Sequence, residues 1–172
     1  MVSREDLGNF LYCSSLLEEK VARAYEHVSK LVDDRIIGGL LNYIAQDSLK
    51  HAGFFKSMAE LLFTGLKMGP GDCERAWGSS WRKIVEGAEE ILRKNEMGIS
   101  DLSLLVKDLE KFEGFVAEEY LTIIHAKLIE LVASEMGGYL DHFKMILEWI
   151  IEDEERHRRI LQAVGELIAK KR

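Results

Sequence analysis

Along most of the chain apolar residues recur three and four positions apart, the period of a helix with one buried face rather than the two of a strand. The first run, Leu7, Phe10, Leu11, Leu17, Val21, Ala24, Val28 and Leu31, follows Ser3 as an N-cap and carries Glu5 and Asp6 in its first turn, so it predicts a helix over about residues 4 to 32. After Asp33-Asp34 a second run extends from Ile37 to Leu62 and meets a glycine-rich stop between Gly65 and Gly71. A third begins behind Ser100, another N-cap, runs from Leu102 to Leu131 and closes at Gly137-Gly138. The fourth spans Leu140 to Ile168 and ends on Lys170-Lys171-Arg172, cations that suit a helix C-terminus. Pro70 is the single proline, so nothing breaks these runs from within.

The connections sort the four helices. Short turns join the first to the second and the third to the fourth, which makes each pair antiparallel, while residues 67 to 99 form one long crossover between the pairs. Within it Trp77, Trp81, Ile84, Val85, Ile91 and Leu92 predict one short extra helix of about three turns. The expected fold is an all-α four-helix bundle of two antiparallel hairpins in a single domain.

Composition narrows the function. With 47% hydrophobic and 31% charged residues the chain folds rather than staying disordered. A net charge of −7 and no basic stripe exclude a nucleic-acid-coating role. No apolar stretch reaches the length of a membrane span, and the start, Met-Val-Ser-Arg-Glu-Asp, lacks a signal-peptide layout, so the expected location is cytoplasmic, without membrane contact. The two cysteines form no C-x-x-C pair, which excludes a zinc ribbon or a rubredoxin-type iron centre. Cys13, inside an apolar run, reads as a buried free thiol, and Cys73 as a thiol in a glycine-rich loop.

The chemistry lies in an internal repeat. Ile44-Ala45-Gln46-Asp47-Ser48-Leu49-Lys50-His51 matches Ile150-Ile151-Glu152-Asp153-Glu154-Glu155-Arg156-His157 at a constant offset of 106. Glu154 and His157, three apart, share a helix face, where a carboxylate and an imidazole can hold one metal ion. On the first helix Glu18 abuts the stripe of Leu17 and Val21 and has Tyr25 seven residues on. The third offers Glu113, with Tyr120 at the same spacing, and Glu118, with His125. Counting levels from the hairpin turns favours Glu118, whereas the local match favours Glu113, and both remain candidates. Tyr25 and Tyr120 read as core residues with bonded hydroxyls, and His27, His125 and His142 as structural or surface residues.

On these residues the chain resembles the ferritin-like superfamily, nearest to the rubrerythrin-like di-iron carboxylate proteins, over all four helices. The resemblance implies two metal ions, iron or else manganese or zinc, held by Glu18, His51, Glu113 or Glu118, Glu154 and His157, with Asp47 and Asp153 orienting the histidines. The family's second-helix carboxylate falls on Ser48, a poor ligand, so the second ion is expected to bind weakly. The implied activity is oxidoreduction of O2, peroxide or Fe(II), with electrons from a separate protein because no rubredoxin-like domain is present. The alternatives are a metal-binding protein without turnover and a metal-free scaffold. Trp77, Trp81 and Trp149 exceed what one bundle core needs and lead us to expect a homodimer.

Overall fold

The computed structural model describes the backbone of residues 4–62, 70–119 and 140–171, and the side chains of these except 4, 70, 115, 117–119, 140 and 141. Among the described residues it is all-helical, with α1 (Arg4–Leu31), α2 (Arg35–Leu62), α3 (Pro70–Trp77), α4 (Ser79–Leu92), α5 (Ile99–Glu119) and α6 (Leu140–Ala169). The stripe boundaries for α1, α2 and α6 therefore fall where the periodicity puts them. Asp34 caps α2, its Oδ1 accepting from the Ile36 and Ile37 N–H groups at 2.8 and 3.0 Å. Gly38 lets α2 approach α1, since a Cβ there would lie 2.9 Å from the Ser29 carbonyl oxygen.

α1 packs along α2, α5 along α6, and α2 against α6. Two apolar clusters result. One gathers Phe10, Leu17, Phe55, Trp77, Leu147 and Ile150, and the other Val21, Tyr25, Ile44, Val106, Leu161 and Val164. Between them lies a buried layer of Glu18, Asp47, Ser48, His51, Glu113, Glu154 and His157.

The crossover departs from expectation. It forms two helices rather than one, because Pro70 starts a helix at its first position, where a missing N–H costs nothing, and Gly78 (φ 78°) turns the chain between α3 and α4. Cys73 thus stands on a helix, and Cys13 and Cys73 form a disulfide with both residues fully buried, which corrects the two free-thiol readings. Trp77 stacks on Phe10 at 4.7 Å, and the Trp81 indole N–H donates to the Cys13 carbonyl at 3.3 Å. Both tryptophans are therefore filled from within the chain, and only Trp149, 53% exposed, keeps the outward face argued for all three. Ser100 sits in the first turn of α5 and does not cap it, while Ser3, Gly137 and Gly138 lie outside the described residues.

The bridge closes a loop with a sequence separation of 60. Native protein should show no titratable thiol, and replacing both cysteines by alanine should lower stability to urea by about 2 to 4 kcal/mol. A native protein that reacts with two equivalents of thiol reagent would refute the bridge.

Candidate metal centre

Each of the four long helices brings a titratable side chain into the polar layer through its stripe. Glu18 follows Leu17 on α1, His51 lies one turn before Phe55 on α2, Glu113 one turn before Val116 on α5, and Glu154 and His157 between Ile150 and Leu161 on α6. All five are at most 4% exposed. Burying this much charge is costly unless each group faces an opposite charge or an ion.

The side chains converge as two triads, Glu18–His51–Glu154 and Glu113–Glu154–His157, with ligand atoms in each lying within 4.8 Å of one another. Glu154 belongs to both. Its Oε1 lies 2.9 Å from His51 Nδ1 and its Oε2 3.5 Å from His157 Nδ1, so one carboxylate spans two half-sites. His157 Nδ1 is also 3.6 Å from Glu113 Oε2. The outer ring nitrogens are held across the helix pair: His51 Nε2 lies 3.2 Å from Asp153 Oδ2, and His157 Nε2 lies 3.5 Å from Asp47 Oδ2. Each repeat's aspartate thus serves the other repeat's histidine. Asp47 is in turn gripped by Lys50 at 2.7 Å and Asp153 by Arg156.

The inner atoms do not satisfy one another. His51 Nδ1, Glu154 Oε1 and His157 Nδ1 are buried without a hydrogen-bond partner, as are Asp47 Oδ2 and His157 Nε2 on the outer side. Donors that point at a shared space rather than at each other suit a cation. A set of carboxylate oxygens and imidazole nitrogens without thiolate suits iron, manganese or zinc.

The electrostatics follow. For His51 burial opposes the charged ring, but Asp153, Glu154 and Glu18 outweigh it and push the imidazole up to about 10. For His157 burial is likewise outweighed by Glu113 and Glu154, and the ring is pushed up to about 11. Burial also works against the Glu154 carboxylate, yet the close His157 and His51 rings hold it below the ordinary range. Glu113 goes the other way, raised by burial and by the neighbouring Glu154 charge. The Tyr25 hydroxyl donates to Glu113 Oε1, and burial followed by the Glu113 charge raises the phenol.

Of the residues singled out in the sequence, Glu18, His51, Glu113, Glu154 and His157 come together. Glu118's side chain lies outside the described residues, as do Tyr120 and His125. Gln162 bonds Glu110 and His157 meets Glu113, so α5 and α6 align about one helical turn away from the register that a turn at Gly137-Gly138 would give. Ser48, 1% exposed, occupies the repeat position of Glu154, and Asp47 faces His157 instead of replacing the absent carboxylate. His27 bonds the Lys94 carbonyl oxygen at 2.7 Å and His142 is exposed, both apart from the centre. Tyr25 is a core residue with a bonded hydroxyl, as the sequence reading has it, and the structure adds the partner, Glu113 on α5.

No protein-family model, no curated protein and no solved structure matches this chain.

The raised imidazoles make the stability of chelator-treated protein depend on pH. A histidine raised from 6.5 contributes fully below that pH, and its contribution is lost as pH climbs toward about 10 for His51 and about 11 for His157. Glu154, depressed from 4.5, contributes above that pH and loses its contribution on acidification. Urea midpoints should therefore peak between these limits and decline on either side, with the alkaline decline flattened in His51→Gln. A flat alkaline limb in the wild type would show that the imidazoles are not held protonated.

Proposed function

We propose that this chain is a ferritin-like four-helix bundle of the di-metal carboxylate kind, taking two divalent ions, iron foremost, and acting as an oxidoreductase on O2, peroxide or Fe(II). The observation that carries the reading is Glu154, shared by two buried triads in which Glu154 Oε1, His51 Nδ1 and His157 Nδ1 have no hydrogen-bond partner. Bound ions would supply the open coordination positions and the exchangeable electrons. Glu18, Glu113, Glu154, His51 and His157 would hold the ions, with Glu154 common to both triads. Asp153 holds the outer ring nitrogen of His51 and so fixes its tautomer, while Asp47 lies 3.5 Å from that of His157. Tyr25 holds Glu113 in place and keeps a proton at its oxygen. To bind ions, the centre must release the protons on His51, His157 and Glu113, so uptake is accompanied by acidification.

Metal binding without turnover is a second reading, favoured by Ser48. Three carboxylates face what would be four positive charges, so the second ion binds less tightly than the first. Electrons come from a separate donor. A homodimer joined through the outer face of α6, where Trp149 and Met145 are 53% and 38% exposed, completes the proposal, with no nucleic acid or membrane as partner. No helix among the described residues is long and apolar enough to cross a membrane. A cytoplasmic location fits an acidic chain less well once the buried disulfide is counted, because reducing compartments disfavour such bridges.

Metal content per chain and stopped-flow Fe(II) oxidation test the reading together. We expect more than one ion per chain at saturation, slow oxidation, and in Ser48→Glu a fuller second site with faster oxidation. No bound metal would refute the centre, and an unchanged Ser48→Glu would show that residue 48 does not limit it.

A separate pair of variants decides the α5 ligand. Glu113→Ala should remove at least one ion per chain while Glu118→Ala retains both, read by the same metal counts. The reverse result would move the ligand to Glu118.

A further inference from the structure

Among the described residues, α4 and the turn after it are fastened to α1 along one edge. The Trp81 indole bonds the Cys13 carbonyl, Lys20 Nζ meets Glu89 Oε1 at 3.0 Å, and His27 Nε2 meets the Lys94 carbonyl oxygen at 2.7 Å. The other edge of α4 stands off from α5 across a cleft of about 430 Å³. Val21 and Ala24 of α1 form its floor, with Ile84 and Ile91 of α4 and Leu105 and Leu109 of α5 as its walls. That volume lies in the range of small-molecule sites, and the α4 lining from Lys83 to Ile91 alone makes the cleft about 12 Å long.

Gly87 is the informative residue. It stands in the interior of α4 and lines the cleft, yet its φ is not positive, and a Cβ built on it would meet nothing within 4 Å. Glycine disfavours a helix interior, and here neither a turn nor a close approach requires it. What the missing side chain provides is room in the cleft. The charges at the mouth decide the ligand's polarity: Lys83 and Lys94 are set against Glu90, Asp101 and Asp108, so an ion of either sign meets a like charge, and an anion most of all.

We propose that this cleft binds a neutral small molecule with an elongated alkyl or aryl body. The deep end lies about one helical turn from the carboxylates of the centre, since Val21 is three residues after Glu18 and Leu109 four before Glu113. Binding itself does not require the centre to hold metal.

Nile red, a neutral aromatic dye, titrated into the purified chain tests this by fluorescence. We expect saturable binding at one site, displacement by decanol, and displacement by decanoate at about tenfold higher concentration. Gly87→Leu, which fills the cleft from α4, should weaken dye binding by about tenfold or more without lowering the melting temperature. Leu105→Trp, filling it from α5, should do the same and serves should the first variant fold poorly. Absence of saturable binding, wild-type affinity in both variants, or displacement by decanoate as readily as by decanol would overturn the proposal.

Discussion

A layer of buried charge between two apolar clusters is the constraint to which the rest of this fold answers. Three carboxylates and two imidazoles, none more than 4% exposed, have been taken out of water together. None can be removed alone without leaving its neighbour unpaired, a loss of about 3 to 5 kcal/mol for a buried pair. The apolar stripes by themselves permit neighbouring helices to slide, since one leucine packs much like the next. The polar layer does not. Only one alignment of α2 on α6 brings His51 to Asp153 and His157 to Asp47 at once.

That crossed pairing also explains why the repeat carries an aspartate just before the ligand position. Each aspartate meets the histidine of the facing helix, Asp153 Oδ2 at 3.2 Å from His51 Nε2 and Asp47 Oδ2 at 3.5 Å from His157 Nε2. The half-sites are consequently coupled through their supports as well as through Glu154, and the departure at Ser48 removes a charge without disturbing either support.

Much of this was legible from the amino acids. Long three-and-four periodicity fixes helix extent wherever a stripe is unbroken, as in α1 and α6. The repeat singled out His51, Glu154 and His157 because a duplicated pattern on two facing helices is hard to produce by chance. Which α5 carboxylate joins the buried cluster was not legible, because Glu110, Glu113, Glu118 and Glu119 lie close together and choosing among them needs the register of α5 on α6, a tertiary quantity. Nor was the disulfide, whose cysteines meet only after α3 and α4 fold back along α1. The same folding back explains the tryptophan surplus: α3 and α4 make a second apolar interface on α1, and Trp77 and Trp81 fill it.

α1 is consequently the most constrained element near the centre. Below Glu18 it is tied by the Cys13–Cys73 bridge and by Trp81, and above it by Lys20 to Glu89 and His27 to Lys94. The triad side built on α1 and α2 is thereby held by covalent and polar ties from the crossover, which pre-set the position of Glu18. Glu113 has no such brace from α4, whose facing edge is open. Its position depends on α6 and on one bond from α1, the Tyr25 hydroxyl. The two halves therefore differ in how they are braced: the crossover ties fix the side around Glu18, whereas Glu113 is fixed by α6 and by the Tyr25 hydroxyl.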